Sequence, residues 1–374
     1  MCSAAAAATG NPSVEARYRV IKYLGSKRRL VPALGDMAQR SGARTALDLF
    51  TGTTRVAQEF KRRGCRVVAN DLARYSEVFA KCYIETDATA IDKDELLDAI
   101  AYLNALPGRP GYFTETFCVA SRFFQPFNGE RIDAIRDAIE SDYRGTWLYP
   151  ILLTSLIEAA DRVDSTTGIQ MAYVKEWAPR SYKRLELRAP ELIPGSGTAL
   201  RGDACQVVHE VDEVDLAYLD PPYNQHSYFG NYHIWETLVA WDAPEHYGVA
   251  CKRIDARDES TKSVFNRKRT MPAALREVVR NVKARTVILS YNNESWVSLE
   301  ELVDMCASRG DWVEVVAFDS KRYVGAQIGI YNPSGVKVGT VSHLRNVEYV
   351  LISGAKDDVV HIAKPYRKAP PTRC

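Results

Sequence analysis

Along most of the chain, short apolar runs of strand length alternate with longer stretches whose apolar positions recur every three or four residues. The first helical stretch, residues 30–41, precedes an apolar run at 43–49; a second, 55–63, precedes a run at 66–69. Between residues 87 and 194 the alternation lapses. Helical spacing alone persists there, over 91–103, 132–139 and 147–163, broken by clusters such as Pro107-Gly108-Arg109-Pro110-Gly111. Alternation restarts at Leu200-Arg201-Gly202-Asp203, continues through a buried run at 214–219, and closes with runs at 286–291, 312–318 and 346–352. Residues 331–335 (Tyr-Asn-Pro-Ser-Gly) read as a hairpin turn before the last of these. The pattern predicts an α/β fold with a doubly wound, mostly parallel, Rossmann-like sheet. Helices cover both faces, the last strand is antiparallel, and a mainly helical region is inserted.

The chemistry gathers where the predicted strands end. The run at 214–219 stops at Asp220-Pro221-Pro222-Tyr223. Two prolines offer no backbone N–H to a ladder, so the chain must turn there. A carboxylate, a rigid turn and an aromatic ring in four residues make a clamp for a flat ring bearing an amine. Asp220 and the Pro221 carbonyl can accept from an exocyclic NH₂, and Tyr223 can lie on the ring face. A turn that merely closes a strand is the competing reading. The run at 43–49 ends in Asp48-Leu49-Phe50-Thr51-Gly52-Thr53-Thr54 and passes at once into a helix. That is the strand–glycine loop–helix opening of a nucleotide-binding unit. The second strand ends at Asp71, close to the roughly 20-residue offset at which a carboxylate meets a ribose diol. Upstream, Ile21-Lys22-Tyr23-Leu24-Gly25-Ser26-Lys27 places a small-residue loop before a helix. Such a loop exposes backbone N–H groups and can hold a carboxylate, with Lys22 or Lys27 adding charge.

Taken in order, these motifs resemble those of the alpha-group, Dam-like adenine DNA methyltransferases. The resemblance implies S-adenosylmethionine as cofactor. Its first loop and glycine loop would fall on Lys22, Tyr23, Gly25, Lys27, Asp48, Phe50 and Gly52, and its ribose on Asp71. Asp203 resembles the acid that meets the cofactor's adenine amine, with turn capping as the competing role. Asp220, Pro221, Pro222 and Tyr223 would be catalytic. Asn224, His226, Tyr228 and Phe229 lie nearest the catalytic motif and are expected at the DNA. One departure stands out: where the family usually has a second glycine, this chain has Thr54. The implied organisation is a disordered tail (1–17), a catalytic domain (18–86 and 196–356), an inserted target-recognition region (87–195) and a basic tail (357–374).

Composition adds little to this. A formal net charge of +2 neither demands nor excludes a nucleic acid, so a binding face must come from local clustering. Residues 175–188 carry five basic residues against two acidic, Lys183 and Arg184 among them, beside Trp177 and Tyr182. Residues 252–269 carry seven against three, ending in Arg267-Lys268-Arg269, and lack apolar periodicity. They are expected to form a mobile, phosphate-contacting loop on duplex DNA. The eight cysteines are scattered without paired spacing, and the six histidines show no ligand spacing, so neither a disulfide frame nor a metal site is expected. No run approaches membrane-helix length. The resemblance implies a cytoplasmic, nucleoid-associated prokaryotic enzyme, with a separate restriction endonuclease as a possible partner. Two alternatives use the same residues. One is methylation of the cytosine exocyclic amine, whose enzymes usually begin the motif with Ser. The other is a catalytically weak DNA-binding protein on the same fold, with Thr54 as the suspect position.

Overall fold

The computed structural model describes residues 21–23, 27–223, 225, 227–293, 295–310, 312–321, 330–331, 337–339 and 345–367. The expectations for Gly25, Asn224, His226, the 1–17 tail, residues 368–374 and the body of the 331–335 turn lie outside them. The rest of the expected basic tail is structured: Lys356–Ala363 is a helix with Val359, Ile362 and Ala363 buried in the core, followed by a 3₁₀ turn at Lys364–Tyr366.

Seven strands form one sheet: β1 (Thr45–Asp48), β2 (Arg66–Asp71), β3 (Thr198–Arg201), β4 (Val214–Leu219), β5 (Ala284–Asn292), β6 (Trp312–Lys321) and β7 (Arg345–Gly354). Their spatial order is β3-β2-β1-β4-β5-β7-β6. The five strands from β3 to β5 run parallel, and β7 lies antiparallel between β5 and β6. The sheet is therefore the doubly wound, mostly parallel one that the alternation predicts. Winding runs outward from β1 through β2 to β3, then reverses to β4 on the other side of β1. A reversal of this kind leaves a crevice beyond the carboxyl ends of the two central strands. Asp48, Asp71 and Asp220 all stand at or just past such ends.

Each sheet face has its own buried cluster. On one, Val31–Arg40, Arg55–Arg62 and Arg74–Ala80 pack with the insertion's helices Lys93–Ala105, Pro126–Tyr143 and Leu148–Val163. The apolar residues of the insertion join this cluster without a break, so the inserted region has no separate core. On the other face lie Ala204–Glu210, Met271–Asn281 and Leu299–Ala307. No helix among the described residues is long and apolar enough to cross a membrane. No group of three or more His, Cys, Asp or Glu side chains among them is placed to hold a metal.

Two basic segments have more structure than their sequence suggests. Residues 252–269 open as a two-stranded ribbon with His246–Tyr247 and continue as three short 3₁₀ turns. Arg253 ties the ribbon down: almost fully buried, it holds Asp242 and Asp255 with both guanidinium arms. Phe265 then anchors the last turn, fully buried against Phe50. Two isolated anchors leave no periodic trace, so the expected mobile loop is instead a pinned wall. Residues 183–188 form an extended strap whose backbone is held by Asn128 and Arg131, with Leu185 and Leu187 buried and Lys183 and Arg184 outward.

Candidate active site

A cavity of about 450 Å³ opens at the carboxyl ends of β1, β2 and β4, a size ordinary for a small-molecule site. Leu49, Phe50, Gly52 and Asp71 line it together with Arg201, Gly202 and Asp203 and with Asp220 and Pro222. Tyr228, Phe229 and Glu236 also face it, as do Ser260, Thr261, Ser263 and Phe265.

Asp220 follows β4 by one residue, and strand register decides its neighbours. Leu219 pairs with Leu289, which sets Ser290 beside Asp220; the Ser290 hydroxyl donates to Asp220 Oδ1 at 3.1 Å. Tyr218 and Ser290 share a hydrogen bond behind it. The Lys27 ammonium, buried ahead of the first helix, meets the same Oδ1 at 3.0 Å and donates to Glu348 of β7. Burial alone would lower the Lys27 ammonium, but the flanking Asp220 and Glu348 carboxylates hold it well above the usual lysine range. Burial pushes the Asp220 carboxyl up to about 6, against the pull of Lys27. Oδ2 of Asp220 has no partner among the described residues. The result is a carboxylate fixed at Oδ1 by a hydroxyl and an ammonium. Tyr223 sits beside it, its ring centroid 5.6 Å from Lys27 Nζ and edge-on to Tyr291.

The Asp71 part of the site is built on backbone amides. Asp71 accepts from Gly52 N through Oδ2 at 2.8 Å and from Ala73 N through Oδ1 at 3.1 Å, so one side chain joins the glycine loop to the second strand's end. Gly52 has φ +51°, and a Cβ there would stand 3.1 Å from the Tyr23 ring. Only glycine suits both demands. Tyr23 stacks on Tyr228 and on Tyr232, which stacks in turn on Trp235, so the aromatic-rich segment after the tetrapeptide joins wall and core in one pile. Asp48 lies beneath the loop, 1% exposed; Oδ2 accepts from Thr51 Oγ1 and Ala57 N, while Oδ1 has no partner. Burial raises this carboxyl to about 7. Thr54 adopts φ +61°, the left-handed conformation that glycine favours.

The remaining expected residues scatter. Lys22 turns away from the cavity and donates to Asp164 Oδ1 and the Asp161 carbonyl. Asp203 lines the cavity and caps the helix Ala204–Glu210 by accepting from Cys205 N, a helix start where a turn cap is the alternative expected. Lys268 and Arg269 are exposed, and Arg267 pairs with Glu259. Three residues escaped the sequence reading: Phe265, Glu348 and Glu236. Each is isolated in its context: an aromatic in a polar stretch, an acid inside a strand run, an acid among helical aromatics. That mismatch is the signal that was available.

A doubly wound sheet with a glycine loop after β1, an acid ending β2 and Asp-Pro-Pro-Tyr after β4 defines an amino-group methyltransferase site. The sequence profile of the D12 class N6 adenine-specific DNA methyltransferases matches residues 23–305, and the chain belongs to that family. It is 31% identical over 303 residues to the modification methylase StsI of Streptococcus sanguinis, across 76% of this chain and 46% of that protein. It is 29% identical to the type II methyltransferase M.NlaIII of Neisseria lactamica, across 81% of this chain and 92% of the relative. The type II methyltransferase M.CviAII of Paramecium bursaria Chlorella virus 1 is also 29% identical, over the same shares. The chain thus spans about half the length of the StsI methylase and most of the other two.

Proposed function

We propose that the chain transfers a methyl group from S-adenosylmethionine to the exocyclic amine of adenine in duplex DNA. The observation that carries this reading is Asp220, which lines the cavity and is held at Oδ1 by Lys27 and Ser290. The cavity fits the cofactor. Gly52 presents bare backbone to the cavity, held against the Tyr23 ring, and Asp71 beside it keeps lone pairs for a ribose. Tyr23, Phe50, Gly52 and Asp71 would hold the cofactor, with Asp203 at its adenine. When bound, S-adenosylmethionine supplies an electrophilic methyl carried on a sulfonium.

The residues of the chain then act on the amine. Its lone pair is delocalised into the base, which makes it a poor nucleophile. Asp220 Oδ2 and the Pro221 carbonyl accept from its two N–H bonds, favour a pyramidal nitrogen and aim the lone pair inward. The gain is positional and electrostatic. A carboxylate with a pKa of about 6 is far too weak a base to deprotonate the neutral amine. It can take the proton once the methylated nitrogen is cationic, and Oδ2 is the atom that receives it. The base must leave the helix to arrive, and Tyr223 offers a ring on which it can stack. Lys183, Arg184, Lys268 and Arg269, all exposed, are the phosphate-facing candidates, with Arg267 beside them. Relatives named as modification and type II methylases support a separate restriction endonuclease sharing the DNA site.

The test incubates unmethylated duplex DNA with labelled cofactor and identifies the product nucleoside by mass spectrometry. N6-methyladenine is expected. N4-methylcytosine, or no incorporation, would overturn the reading.

A further inference from the structure

Glu236 is the one acid in the helix His233–Ala240, and it is fully buried. Its Oε1 accepts from Arg74 N at 2.9 Å and so caps the helix Arg74–Ala80, which Ala73 cannot cap with its own side chain. The preceding amide, Ala73 N, is held by Asp71 Oδ1 at 3.1 Å. Adjacent amides lie only about 3–4 Å apart along a chain. Asp71 and Glu236 therefore grip neighbouring amides of one helix start, and both line the cavity. The Arg74 guanidinium and the Tyr75 amide face the Glu236 carboxyl, yet among the described residues neither its Oε2 nor Arg74 Nη1 makes a hydrogen bond of good geometry. A buried carboxylate oxygen left unpaired is costly, and such a cost at a cavity wall points to a ligand donor that removes it.

We propose that Glu236 is a second sugar-binding carboxylate, accepting a hydrogen bond through Oε2 from one ribose hydroxyl of the cofactor while Asp71 takes the other. This rests on the reading of the cavity as an adenosyl site with its ribose at Asp71. The chemistry matches: a ribose presents two vicinal donors, and the wall presents two neighbouring carboxylates. Glu236 is thus a positioning residue. It fixes the sugar, and through the helix start that it caps it also fixes the residue that shares the sugar.

Glu236→Gln isolates the free oxygen. The side-chain carbonyl still accepts from Arg74 N, so the helix start is kept, while an amide NH₂ replaces Oε2. Titration calorimetry would compare S-adenosylmethionine with its 2′-deoxy and 3′-deoxy analogues on wild type, Glu236→Gln and Asp71→Asn. Wild type should bind each deoxy analogue roughly tenfold or more weakly, as expected for a lost hydrogen bond to a charged group. In Glu236→Gln one of the two analogues should lose nothing further, while the other keeps its full penalty; Asp71→Asn should show the opposite choice. If Glu236→Gln discriminates against both analogues as wild type does, while Asp71→Asn shows its coupling, Glu236 does not touch the sugar and the adenosyl reading stands. If wild type binds all three ligands equally, or none, the adenosyl reading itself fails and takes this proposal with it.

Discussion

Asp71 and Asp220 line one cavity, each at the carboxyl end of a parallel strand and each with its carboxyl raised by burial. Their partners differ in kind. Asp71 is held by two backbone amides, which carry partial charge and cannot move without moving the loop and helix they belong to. Asp220 is held by side chains, the Ser290 hydroxyl and the Lys27 ammonium, and the ammonium is itself shared with Glu348. Backbone partners suit a group that must stay fixed and receive neutral hydroxyls. A charged partner suits a group that must stay ionised beside an amine and then accept its proton. The same residue type thus becomes an anchor in one place and a reacting group in the other.

Removing each carboxylate tests the contrast at its strongest. Asp220→Ala should lower kcat on the order of 10² or more, as for loss of one transition-state hydrogen-bond partner, with cofactor affinity little changed. Asp71→Ala should do the reverse. Cofactor binding by calorimetry should weaken by about 1.5–3 kcal/mol, while turnover at saturating cofactor falls far less. Were both variants to lose affinity and turnover in the same proportion, the division of labour would not exist.

A subtler break concerns charge. With the Asp220 carboxyl raised to about 6, the ionised form predominates above that pH, so kcat/KM should fall as pH drops below about 6. Lys27 holds that value down; without it Asp220 would face Glu348 alone. In Lys27→Met the acid limb should therefore move upward by about one unit or more. Activity at pH 7 would fall to about half or less and recover towards pH 8.5. Asp71→Asn should leave the limb where it is. An unshifted limb in Lys27→Met would mean that Asp220 does not carry it.

How far this contrast could be seen in the sequence follows from the same physics. Asp71 and Asp220 were visible because a strand run, a turn and an acid lie together in the chain, and the helices and sheet order follow from alternation. Lys27 was visible as a basic residue in a small-residue loop, but its distance from Asp220 along the chain hid its true partner. Glu348 and Ser290 reach the site only through the register of β5 with β4 and β7, which no local pattern encodes. Phe265 and Glu236 are single residues whose burial depends on tertiary packing. The wall formed by residues 260–266 was hidden for that reason, since its composition reads as solvated.

The smallest expected effect concerns Thr54, in the glycine loop that ties into Asp71 through Gly52. A β-branched residue at φ +61° is strained by roughly 1–2 kcal/mol. The loop holds it there by burying the side chain fully, with Oγ1 donating to the Thr53 carbonyl and accepting from Gln58 Nε2. Thr54→Gly would release the strain but lose these hydrogen bonds, the buried methyl and about 0.5–1 kcal/mol of chain entropy. The losses outweigh the relief, so stability in a thermal or urea melt should fall by about 1–2 kcal/mol. Cofactor affinity should stay within about twofold, because the Asp71–Gly52 bond depends on the loop's backbone path and glycine follows that path without strain. Thr54→Val keeps the strain and removes the hydroxyl, so it should be the less stable of the two. If Thr54→Gly instead weakens cofactor binding as much as Asp71→Ala does, the threonine side chain, and not the backbone, fixes the Asp71 part of the site. The contrast with Asp220 would then lose its structural basis.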